Sequence, residues 1–165
     1  PKTGDVIISF GDQYFDTGKS KIKPGMRQIL EKSIPIYAKS LFSDKKIADK
    51  LSFVEIVGFA SPTFRGKYVD PQSMKESDRT AVNYNLDLSY YRARNIFDHI
   101  FDTSKMQYNN QKKLRSIVKV TGRSFLAEKT EGRGIASGMS KKQFCAKYDC
   151  KKAQKVIIKF DFKDQ

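Results

Sequence analysis

Four short runs rich in β-branched residues, parted by stretches of helical spacing, constrain this chain more than any single motif does. Asp5–Phe10, Leu51–Gly58, Ser116–Gly122 and Lys155–Phe162 read as strands. Between the first two, Pro24 suits the first turn of a helix, and Ile29, Leu30, Ser33, Ile36, Tyr37 and Leu41 recur at spacings of three and four. Pro35 falls inside that stretch and is expected to kink or break it near Ile34, since an interior proline costs a straight helix about 3 kcal/mol. A second helix is expected to start at Ser89, run through Ile96, Phe97 and Ile100, and end before Asp102. Ser140 suits the cap of a short third helix reaching Tyr148. Strand, helix, strand, helix, strand, strand predicts an α+β domain: a mixed four-stranded sheet with helices packed on one face.

The segments between are polar. Residues 63–84, with Gly66 and Pro71, read as a long loop, and Glu128–Ser140, with Gly132, Gly134 and Gly138, as a flexible one. With 165 residues, 39% hydrophobic, and 12 Phe and 8 Tyr, the chain can build one sizeable core, so a single domain over 1–165 is expected. Thirty-two Lys plus Arg against eighteen Asp plus Glu give a net charge of +14, which favours anionic partners: nucleic acid, an acidic membrane surface or an anionic polymer. Scattered lysines also serve simply as a solvated surface. No apolar run approaches the ~20 residues of a membrane span. Pro1-Lys2-Thr3-Gly4 has neither a hydrophobic leader nor an initiator Met, so the chain is expected to be a piece of a longer protein.

Catalytic and metal chemistry find little support. Gly18-Lys19-Ser20 imitates the end of a phosphate-binding loop, but Gln13 stands where the first glycine is required. The one histidine, His99, lies mid-helix, no paired carboxylates flank a motif, and neither cysteine has a base near it in sequence. The chain reads as a non-enzyme without cofactor or zinc site. Cys145 and Cys150 could close a small disulfide loop in an oxidising compartment, or stay two thiols in a reducing one.

One stretch carries chemistry. With Ser89 as cap, Arg92 falls in the first helical turn, where a cation is disfavoured unless an anion joins it at the free N–H groups. Asn85-x-x-Leu88-Ser89-x-x-Arg92-Ala93, preceded by Val57-Gly58-Phe59-Ala60-Ser61, resembles the Asn-x-x-Leu-Ser-x-x-Arg-Ala signature of the OmpA-like peptidoglycan-binding domain. Phe15-Asp16-Thr17-Gly18-Lys19-Ser20-x-Ile22-x-Pro24 is similar to that family's loop from first strand to first helix. Val120-Thr121-Gly122-Arg123-Ser124 resembles its Gly-x-Ser step, and Ala153-Gln154-Lys155-Val156 sits where the family often has Asn-Arg-Arg-Val.

The resemblance implies an OmpA-like βαβαββ sandwich with insertions at about 62–84 and 126–152. It also implies a periplasmic domain that binds the diaminopimelate stem peptide of peptidoglycan and anchors a membrane protein, such as a MotB-type stator subunit, to the cell wall. Ligand-binding residues carried over are Thr17, Gly18, Ser61, Asn85, Arg92 and Lys155, with Arg92 taking a carboxylate. A periplasmic setting favours the Cys145–Cys150 disulfide. The parent would be reached through an N-terminal anchor outside this sequence, and the stator class adds homodimerisation. Ser61 stands where the family has an aspartate facing the ligand's ammonium. The ammonium is then held less tightly, by ~1–3 kcal/mol, or Asp70, Glu76 or Asp78 supplies the acid. Two other functions compete: a basic nucleic-acid-binding module, and an OmpA-like fold that no longer binds peptidoglycan and serves as a protein-interaction domain.

Overall fold

The structure, a computed structural model, describes residues 6–10 by their backbone, and residues 14–125, 137–148, 150 and 153–163. Its elements in chain order are β1 (Val6–Phe10), α1 (Pro24–Ser43), α2 (Lys45–Lys50), β2 (Leu51–Phe59), β3 (Thr63–Phe64), β4 (Lys67–Tyr68), α3 (Glu76–Phe101), α4 (Gln111–Ser116), β5 (Val118–Ser124), α5 (Lys141–Lys147) and β6 (Val156–Phe162). The main sheet has the order β1-β6-β2-β5, and β3 and β4 form a separate hairpin. β2 and β5 run parallel, while β6 is antiparallel to both β1 and β2, so the sheet is mixed.

Alternation decides which side the helices cover. Val54 and Ile56 of β2 and Val156, Ile158 and Phe160 of β6 are buried in one cluster with Met26, Leu30, Ile34, Ala38 and Leu41 of α1 and Ala93, Ile96 and Ile100 of α3. The intervening positions form a mixed face, on which Phe53, Val57 and Ile157 stand beside charged groups. Lys119 lies over the Phe53 ring at 3.5 Å, Thr121 Oγ1 donates to Glu55 at 2.7 Å, and Arg123 stands 3.6 Å from the Glu55 carboxylate.

Two sequence expectations are corrected here. Helix α1 runs unbroken through Pro35. Five buried apolar side chains spread over its whole length hold both halves on one core, and that burial, at roughly 1.5–3 kcal/mol per large aliphatic side chain, exceeds the cost of one interior proline. Pro35→Ala is accordingly expected to raise unfolding free energy by about 1–2 kcal/mol, part of the helical gain being offset by a freer unfolded chain; denaturant titration reads the shift. The second correction concerns 63–84, which is no long loop: it holds the β3–β4 hairpin and the first nine residues of α3. The 126–136 part of the glycine-rich segment lies outside the described residues. Ser140 caps α5 through a reciprocal box with Gln143, and Cys145 and Cys150 are joined by a disulfide. Helices α2 and α4, one turn and a half each, had no separate signal in the sequence.

Near the end of α3, His99 is buried, with Nε2 3.3 Å from a Glu31 carboxylate oxygen but out of line for a hydrogen bond. Burial holds its imidazole below the ordinary value of 6.5, and Lys105 and Arg27 act the same way, outweighing the upward pull of Glu31. The unfolded chain therefore takes the proton first, and stability falls as pH drops through the imidazole range. Between about pH 7.5 and 5.5 the urea midpoint should decrease, and decrease less in His99→Gln.

Candidate ligand-binding site

Two glycines let α3 lie directly on the sheet. Gly58 and Gly122 are paired neighbours on β2 and β5, and a Cβ on Gly58 would stand 1.8 Å from the Ser89 carbonyl oxygen, one on Gly122 2.7 Å from the Tyr90 backbone. At this crossing Asn85, Ser89 and Arg92, spaced four and three apart, turn one buried face toward the strand ends. Asn85 Nδ2 donates to the Thr63 carbonyl at 3.1 Å and so fastens the hairpin. Ser89 Oγ donates to Leu86 O at 2.6 Å and accepts from Ser124 N at 2.9 Å, fastening the end of β5.

Arg92 gathers the rest. Its Nε donates to Lys19 O at 3.0 Å, Nη1 to Phe59 O at 3.1 Å, and Nη2 to Gln154 Oε1 at 3.1 Å and, more distantly, to Asp16 O at 3.5 Å. The guanidinium also sits 5.3 Å from the Phe15 ring centre. All these partners are neutral dipoles. The Asp16 carboxylate is held instead by Lys23 at 3.1 Å and Lys19 at 3.9 Å, so Arg92 has no salt bridge to it. With 0% of the residue exposed, burial pushes the guanidinium down to about 10, which still leaves it charged at neutral pH.

The cation borders a cavity of about 530 Å³ whose walls include Thr17, Gly18, Ser61, Thr63, Phe64, Arg65, Tyr84, Asn85, Lys141 and Gln154. Five of the six residues carried over from the family motif thus meet at one cavity. Lys155 does not: just before β6 and of opposite parity to Gln154, it is placed over the Phe59 ring at 4.9 Å. Asp70, Glu76 and Asp78 do not line the cavity either. The proposed role of the helix terminus is also corrected. α3 begins at Glu76, with Lys75 as its cap, so Ser89 and Arg92 lie deep inside the helix, away from its terminal N–H groups. The stripe Ala81, Asn85, Ser89 and Arg92 extends the buried side of α3 backward with small and polar residues, a pattern that apolar periodicity overlooks.

Sequence reading missed Gln154, Arg65, Tyr84 and Lys141. For Gln154 a signal existed: it shares the parity of the buried Val156, Ile158 and Phe160, whereas Lys155 does not. Tyr84 closes one wall, donating to Gly18 O at 3.3 Å and packing on Phe64 at 5.1 Å. Tyr90 and Tyr91 are 42% and 47% exposed, their rings 5.8 Å apart.

No family model matches the chain, and no curated protein matches it. Solved structures do. Among them is the periplasmic domain of Helicobacter pylori MotB, with a TM-score of 0.53 over 99% of this chain and 86% of that one, at 11% sequence identity. Similarity at that identity establishes a shared fold. No helix among the described residues is long and apolar enough to cross a membrane.

Proposed function

We propose that this chain is a non-catalytic, periplasmic peptidoglycan-binding domain of the OmpA-like kind, anchoring a membrane protein or a stator-type complex to the cell wall. The observation that carries the reading is Arg92: a fully buried cation, caged by carbonyls rather than carboxylates, at a cavity built from Thr17, Gly18, Ser61 and Asn85. A buried charge compensated only by dipoles gains much from an incoming carboxylate, because the same low dielectric that penalises the lone ion strengthens the pair. The fold shared with a MotB periplasmic domain supports the same reading. The family motif supplies the ligand class, a diaminopimelate stem peptide.

Titration with a diaminopimelate-containing muropeptide and co-sedimentation with sacculi test it. Arg92→Lys retains a charge but loses the planar fork, and is expected to weaken binding about tenfold. Absence of binding by the wild type would sink the proposal. A steep collapse of binding to any polyanion as salt rises would favour a nucleic-acid module in its place.

A further inference from the structure

The cavity walls carry charge of one sign. Arg92 at its inner end, Arg65 on the β3–β4 hairpin and Lys141 at the start of α5 are cationic, and no Asp or Glu lines it among the described residues. The acids of the neighbouring segment are occupied elsewhere. Asp78 accepts from Ser73 Oγ at 2.6 Å and Ser137 Oγ at 2.8 Å, Asp70 from Gln72 N at 3.0 Å, and Glu76 from Arg79 at 3.0 Å. Ser61, at the position of the family's aspartate, stands 3.0 Å from Thr63 Oγ1, a neutral pair.

The rim cations are built in. Arg65 and Gly66 form the hairpin tip with φ of 47° and 78°, a turn that ordinarily takes Asn, Asp or Gly at its first position. The Gly66 carbonyl accepts from Lys141 N at 2.7 Å, so the hairpin tip and the start of α5 are bonded to each other. A ligand with an ammonium beside its carboxylate would set like charge against Arg65 and Lys141. A ligand whose amine is acylated presents only its anion.

Resting on the peptidoglycan reading above, we infer that the Arg92 cavity takes carboxylate-bearing stem-peptide ends whose neighbouring amine is acylated, as in a cross-linked stem, in preference to zwitterionic ends. Calorimetric titration compares three probes: a disaccharide-tetrapeptide monomer with a free diaminopimelate side-chain amine, the same monomer N-acetylated at that amine, and a cross-linked dimer. Removing one ammonium near one exposed and one partly buried cation should tighten binding roughly fivefold, so the acetylated monomer and the dimer should both bind that much better. In Arg65→Gln/Lys141→Gln the ratio of acetylated to free monomer should fall to about one with melting temperature unchanged. Ser61→Asp, which returns an acid to the wall, should reverse the preference. Equal or tighter wild-type binding of the free-amine monomer overturns the inference and leaves peptidoglycan binding standing. A preference that survives the double substitution also overturns it, and failure of all three probes to bind overturns both.

Discussion

Arg92→Ala is expected to cost about 3–5 kcal/mol of unfolding free energy, measured by urea denaturation, before any ligand is considered. The guanidinium satisfies carbonyl groups of Lys19 and Phe59 and the side-chain amide of Gln154, contributed by three separate segments. Truncation leaves those acceptors dry and opens a void, and each orphaned buried acceptor costs about 1–3 kcal/mol. Loss of ligand binding by Arg92→Ala is therefore an ambiguous result, and because Arg92→Lys also gives up part of the carbonyl cage, its binding is read only beside its own urea midpoint. A truncated variant within about 1 kcal/mol of wild type would show that the carbonyl cage contributes nothing to the fold.

Gly58→Ala should be at least as damaging, at about 4 kcal/mol or more, because a Cβ would lie 1.8 Å from a backbone oxygen of α3. Neither the central strand nor a 26-residue helix can yield by the required amount without parting the core. Gly122→Ala meets the Tyr90 backbone at 2.7 Å and should cost less. Gly25→Ala, in α1 with nothing within 4 Å, is the control and should be neutral or stabilising by up to ~1 kcal/mol. If Gly58→Ala melts with the control, α3 does not ride on the sheet as described.

Strands were legible because a side chain alternates in and out whatever else is near, and all four runs are placed within two residues of their expected bounds at each end, β1 by its backbone. The start of α3 was illegible because Ala81, Asn85 and Ser89 bury small or polar groups, so the helical stripe carries no hydrophobic signal until Ile96. The same three-residue face explains the motif itself. Asn85, Ser89 and Arg92 stitch hairpin, β5 and β2 together, and their spacing serves that task. Arg65 and Lys141 escaped notice because their meeting at one cavity depends on a hydrogen bond between segments 75 residues apart, which no local pattern encodes. Gln154 and Lys155 were a matter of parity alone, and the charged neighbour drew attention from the one that reaches Arg92.

The sheet order also sets a schedule for folding. β6, the last strand, lies between β1, the first, and β2, and Val6 pairs with Phe160. A chain emerging N-terminus first can pack α1 and α3 and form the parallel β2–β5 pair, but its opening strand has no partner until residue 156 is free. During that interval β1 and one edge of β2 are unpaired strand edges of the kind that bind other chains. A domain delivered in this order stays open until Val156–Phe162 is available to pair, and cutting the chain before Val156 removes the strand that joins β1 to β2.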